Sequence, residues 1–208
     1  MDRGRVDPSA FTLDAALERI DARAAGEYDL VGYSMGGRIA LHQALRAGNR
    51  VRRLVLESAS PGLATKEERE ARRWADGELA ARILDDGVEA FVSAWERLPL
   101  FNTQRGLPNG VRSRHREGRL ANDAASLAAA LVGLGTGSLP SLWDRLGEVG
   151  AEVLVLVGEH DDKFVEIGRK MADRLPRAQL EVVEGAGHTV HLERPAVWLQ
   201  RVCAFLGQ

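Results

Sequence analysis

Hydrophobic and polar positions along this chain follow two periods, and the order in which they alternate points to a fold class. Over "FTLDAALERIDARAAG" the apolar residues Phe11, Leu13, Leu17 and Ile20 recur mostly three or four apart and stop at Gly26, which predicts an amphipathic helix closed by glycine. "YDLVGYS" follows as a short strand. Small and aliphatic residues from Gly36 to Ala47 then predict a helix packed closely on a sheet, and "VRRLVLESA" predicts a second strand. Short joints between strand, helix and strand require a parallel pair with a right-handed crossover, so the class is α/β.

From Lys66 to Gly137 the pattern changes. Charges and alanines take helical spacing, with Trp74, Trp95 and Phe101 among them and no convincing strand, which predicts a helical insertion. "AEVLVLVGEHDD" and "AQLEVVEGAGH" resume the strand pattern, separated by a helix around Val165 to Leu175 and followed by a last helix from Pro195 to Leu206. The expected organisation is a parallel-sheet core from residues 1–63 and 138–208, with a helical lid over 64–137. There is no internal repeat or low-complexity tract.

Composition narrows the function classes. The 208 residues are 45% hydrophobic and 28% charged, an ordinary globular balance. A net charge of -2 gives no general attraction to a phosphate backbone, so no nucleic-acid partner is expected and any cationic site must be local. No apolar run approaches the roughly 18–20 residues that span a bilayer, and the N-terminus lacks the apolar core of a secretory signal. With Cys203 as its single cysteine, the chain reads as cytoplasmic and without a membrane partner.

Gly32, Tyr33, Ser34, Met35 and Gly36 form G-x-S-x-G between the first strand and its helix. In such an elbow, side chains two positions either side of the serine are expected to collide with strand and helix, so glycine stands at both. The hydroxyl is then exposed at the helix N-terminus, with the Met35 amide aimed at a developing oxyanion. The partners follow in the order the elbow requires. Asp161 or Asp162 comes after "VLVLVGEH", and His188 after "LEVVEGAG", both at carboxyl ends of parallel strands. His188 and His191 form H-x-x-H, but a third ligand in helical register is lacking and Pro195 favours a loop, so no metal is expected. His115 and His160 read as exposed histidines.

Several stretches together, "GYSMGGRIAL", "LVLESASPGL", "AFVSAWERLPLF", "GLGTGSLPSLW", "VGEHDDKF" and "GAGHTVHLERP", resemble the 2-succinyl-6-hydroxy-2,4-cyclohexadiene-1-carboxylate synthases, the MenH enzymes of menaquinone biosynthesis in the α/β-hydrolase superfamily. The resemblance runs from about Pro8 to the C-terminus. It implies a lyase that needs no cofactor and eliminates pyruvate from a small-molecule tricarboxylate, with Ser34, His188 and Asp161 as a proton relay. It selects Asp161 over Asp162. It also implies carboxylate binding by Arg38, Arg72 and Arg116, with Trp95 and Phe101 as apolar wall and Tyr33 and Met35 beside the elbow. A solvated surface is the alternative for each arginine, and Arg112, Arg114 and Arg119 crowd Arg116.

The family's opening strand, its His-Gly loop and its D-x-x-G-x-G-x-S segment have no counterpart in this sequence, which is expected to start inside the fold. The strand "YDLVGYS" would then form a sheet edge open to self-association, and the oxyanion would keep one donor. Two further readings stay open: an ester or carbon-carbon bond hydrolase with the same triad, and an inactive substrate-binding fragment.

Overall fold

The structure, a computed structural model, describes residues 7–207. A 3-10 turn at Pro8–Phe11 leads into α1 (Leu13–Asp21), whose Thr12 side chain caps the Ala15 amide. Then follow β1 (Tyr28–Tyr33), α2 (Met35–Ala47) and β2 (Val51–Glu57). The insertion comprises α3 (Lys66–Trp95), α4 (Asn109–Leu120) and α5 (Ala124–Leu134), with 3-10 turns between α3 and α4. The chain then returns through β3 (Glu152–Gly158), α6 (Asp162–Ala172), β4 (Ala178–Val183), the single turn α7 (Val190–Glu193) and α8 (Pro195–Leu206).

All three strand pairings are parallel, in the order β1-β2-β3-β4. The apolar run of β3 is buried along its length because both faces of the sheet are covered there. Val153, Val155 and Val157 join the core that α2 and α6 close, and Leu154 and Leu156 join the one that Val202 and Trp198 of α8 close. β1 pairs with β2 alone among the described residues, and its Val31, in register with the buried Val55, is 42% exposed. No helix among them is long and apolar enough to cross a membrane.

α3 is the longest element and is bent. A Thr65–Glu68 capping box starts it, and Gly87, at φ 84° and ψ 170°, interrupts it, a backbone conformation that side-chain-bearing residues avoid. One limb therefore carries Arg72 and Asp76, and the other Phe91 and Trp95.

His42 of α2 is buried with no partner for Nε2, and burial, followed by the charges of Arg38 and Arg145, pushes it down to about 4. A histidine depressed in the folded state is protonated first in the unfolded chain. Its contribution is neutral above about 6.5 and grows unfavourable as the pH falls towards 4. Chemical denaturation of His42→Leu at pH 7 and pH 5 should therefore show a smaller loss of stability on acidification than in the parent. An equal loss would remove His42 from the acid sensitivity.

Candidate active site

The elbow is built by close backbone approach. Ser34, between β1 and α2, holds φ 50° and ψ -112°, a strained conformation for a residue with a side chain, and its amide donates to the Glu57 carbonyl at 2.9 Å. A Cβ on Gly32 would lie 2.6 Å from the Gly36 carbonyl oxygen, so glycine is required there. The second expected collision belongs to a different residue. A Cβ on Gly36 would meet nothing within 4 Å, whereas one on Gly37 would lie 2.5 Å from the Ala59 Cβ, because the helix turns Gly37 towards the end of β2. Gly37→Ala should thus cost about 1–3 kcal/mol by overpacking, and Gly36→Ala less than about 0.5 kcal/mol. Urea denaturation of both variants checks the order, which the motif alone would reverse.

Three side chains from three loops converge above the sheet. His188 Nε2 lies 3.1 Å from Ser34 Oγ, and His188 Nδ1 lies 2.6 Å from Asp161 Oδ2. His188 and Asp161 are 2% and 6% exposed, so the carboxylate acts on the imidazole with little solvent screening. Geometry separates the two candidate acids: Asp161 precedes α6 and turns inward, while Asp162 begins the helix and is exposed. The Met35 amide, at the first position of α2, has no intrahelical acceptor.

The histidine is held from several sides. Phe164, Tyr33 and Phe101 surround its ring at centroid distances of 4.7, 5.4 and 6.1 Å. Glu193 accepts from the amides of Gly187 at 2.7 Å and Thr189 at 3.1 Å, the two residues flanking His188, and so fixes the loop. The Tyr33 hydroxyl hydrogen-bonds Thr189 Oγ1 at 2.9 Å, which also accepts from Gln104 Nε2 at 2.9 Å. Burial pushes Tyr33 up to about 12, against the opposing pull of Thr189, so it stays a neutral hydroxyl.

His191 is not in a loop; it belongs to the turn α7. Its Nδ1 lies 2.9 and 3.0 Å from the two carboxylate oxygens of Glu57, its amide donates to Glu57 at 3.1 Å, and its ring meets Tyr33 edge-on at 5.0 Å. Glu57, 1% exposed, also accepts from Trp198 Nε1 at 2.8 Å. His160 is exposed, but His115 is half-buried, lowered by burial, and lines a cavity.

The arginines divide into two places. Arg38, one turn beyond Ser34, is 7% exposed with Nε unpartnered and a long 3.4 Å contact from Nη1 to the Leu134 carbonyl. Burial and then the Arg72 cation push it down to about 10, while Asp76 acts the other way, leaving it charged at neutral pH. Arg72 Nε donates to Asp76 Oδ1 at 2.8 Å. Arg72 and Asp76 line a cavity of about 570 Å³ along α3, with Ile83, Phe91 and Trp95. Arg116 lies elsewhere, bound to Glu96 at 2.7 Å and Ser93 at 3.1 Å, in a cavity of about 500 Å³ with Phe101, Gln104, His115 and Arg119. Trp95 and Phe101, 5.9 Å apart, stand between the two, and Phe101 reaches His188.

Glu57, Asp76, Gln104, Thr189 and Glu193 were not expected from the sequence. Each is an ordinary polar residue whose role depends on a partner far along the chain or one helical turn away.

The profile of the Alpha/beta hydrolase family matches residues 2–201. Among curated proteins, the chain is 49% identical over 177 residues to a "Putative 2-succinyl-6-hydroxy-2,4-cyclohexadiene-1-carboxylate synthase" of Bacillus subtilis, covering 85% of this chain and 65% of that protein. It is 34% identical over 171 residues to the synthase of that name from Enterobacter, covering 80% of this chain and 62% of that one. The chain thus spans somewhat less than two thirds of the length of these relatives. The solved structure of MenH from S. aureus superposes with a TM-score of 0.89 at 36% identity, covering 94% of this chain and 73% of that one. Parallel sheet, glycine-flanked serine elbow and these likenesses agree: the chain belongs to the alpha/beta hydrolase family, and within it is similar to MenH.

Proposed function

We propose that the protein is a cytoplasmic lyase of menaquinone biosynthesis, eliminating pyruvate from 2-succinyl-5-enolpyruvyl-6-hydroxy-3-cyclohexene-1-carboxylate to give 2-succinyl-6-hydroxy-2,4-cyclohexadiene-1-carboxylate. The observation that carries this reading is the 3.1 Å approach of Ser34 Oγ to His188 Nε2, with the buried cation of Arg38 one turn along the same helix. Relatives bearing the synthase name support it.

In this reading His188 accepts the Ser34 proton as Ser34 Oγ takes the ring proton next to the succinyl carbonyl. The electron pair moves through the ring, the carbon-oxygen bond to the enolpyruvyl group breaks, and pyruvate departs as its enolate, which takes the proton held by His188 and leaves the imidazole neutral again. Asp161 keeps His188 in the tautomer with a proton on Nδ1 and stabilises the imidazolium that forms. The Met35 amide donates to the carbonyl oxygen as negative charge collects there. Arg38 and Arg72 take substrate carboxylates, for which a planar guanidinium offers two parallel hydrogen bonds. Arg116, behind Phe101 and Gln104, takes another once Glu96 yields it, and the helical insertion over 64–137 forms the lid.

Purified protein supplied with the pathway substrate is expected to release pyruvate, read by coupling to lactate dehydrogenase. Turnover of activated esters through an acyl-Ser34 intermediate, without pyruvate, would make it a hydrolase. Substrate binding with neither product would make it a binding protein.

A further inference from the structure

Asp76 is 3% exposed, yet only one of its carboxylate oxygens is satisfied: Oδ1 holds Arg72 Nε at 2.8 Å, and Oδ2 has no partner. The site is built to keep it there. A Cβ on Gly135, at the end of α5, would lie 2.5 Å from Oδ2, so glycine leaves room for the carboxylate. Arg38 approaches the same end of α5, its Nη1 3.4 Å from the carbonyl of Leu134 next to Gly135, and is buried with Nε unpartnered. The charged and titratable groups around Arg38 are Arg72 and Asp76 from α3 and His42, buried and neutral, from α2, while α5 offers the Leu134 carbonyl.

The buried cation of Arg38 and the exposed one of Arg72, 43% open at its side chain, repel one another when no anion stands beside them. The buried Asp76 carboxylate pairs directly with Arg72 and attracts Arg38 over a longer distance, without a hydrogen bond between them. By occupying the Nε of Arg72, Asp76 also dictates which part of that guanidinium remains for a ligand, because the two Nη groups have no partner among the described residues.

We propose that Asp76 is a positioning residue, the internal counter-ion that holds Arg38 and Arg72 together as a preformed clamp for a ligand carboxylate. This rests on the reading of Arg38 and Arg72 as carboxylate-binding residues. It gives the i,i+4 pair on α3 a purpose beyond helix stability, to which an ion pair of this spacing contributes little.

The test is calorimetric titration of the purified protein with tricarballylate, a tricarboxylate probe that needs no turnover, alongside thermal denaturation. Asp76→Asn, which keeps an acceptor for Arg72 but removes the charge, should weaken binding at least about tenfold. In an Arg72→Ala background the same change should have less than a twofold further effect, because the clamp is already broken. Asp76→Glu, which restores the charge, should recover part of the affinity. A merely structural Asp76 would lower the melting temperature and leave affinity within twofold, and that result overturns the proposal. So does a wild-type protein that does not bind tricarballylate at all. If Asp76→Asn does not fold, Gly135→Ala, whose Cβ would lie 2.5 Å from Asp76 Oδ2 and so displace the carboxylate while both arginines stay, must show the tenfold loss instead. Failure of pyruvate release with intact tricarballylate binding would count against the proposed reaction and leave the clamp standing.

Discussion

Ser34→Ala is expected to lower pyruvate release by on the order of 10²–10⁴-fold, the range for removal of a positioned proton-transfer group, while leaving substrate affinity nearly unchanged. The serine presents its hydroxyl to His188, while carboxylate binding is proposed for Arg38 and Arg72, so chemistry and binding are expected to be separable. His188→Ala should fall to a similar level. The double variant should be no slower than either single one, because hydroxyl and imidazole move one proton as a unit. Steady-state kinetics with the pathway substrate gives kcat and KM for each variant. A Ser34→Ala protein that turns over within tenfold of the parent would remove the serine from the reaction and leave His188 as a direct base.

The second large effect is expected at a residue that touches no substrate. β3 ends at Gly158, and a Cβ there would lie 2.5 Å from the Ala186 carbonyl oxygen and would press on that of Gly187 as well. At this place the loop carrying Asp161 meets the loop carrying His188, joined by the His160 amide, which donates to the Ala186 carbonyl at 2.8 Å. Gly158→Ala must drive the loops apart. Overpacking against backbone costs about 1–3 kcal/mol, and a displacement near 1 Å at the histidine costs about a hundredfold in rate. Assayed well below its melting temperature, the folded variant should still be slow. Wild-type kinetics in a folded Gly158→Ala protein would show that the aim of His188 is set elsewhere.

Much of the fold was legible because the periodicities are clean. The spacing from Gly36 to Ala47 gave α2 to within a residue, and the last helix, Pro195–Leu206, has the bounds its pattern predicts. The elbow was legible as a motif but not in its steric detail. Which glycine faces the neighbouring strand depends on how α2 starts, and that puts the crowding on Gly37. Asp161 and Asp162 are chemically equivalent in the sequence and separated there by family resemblance alone; the start of α6 turns one inward and the other to solvent. His191 looked like half of a metal motif because its actual partner, Glu57, lies 134 residues away on β2. The separation of Arg116 from Arg38 and Arg72 likewise follows from the packing of α4 against α3, to which local periodicity is blind.

The buried carboxylate of Glu57 accepts from α7 and from Trp198 of α8, while the carbonyl of the same residue accepts from the Ser34 amide. The C-terminal helix, by position a mere cover for the sheet, is thereby anchored one residue's length from the elbow. Damage to the tail would thus be transmitted through a single side chain to the serine, so a chain shortened past Trp198 should lose its reactive geometry before it loses its sheet.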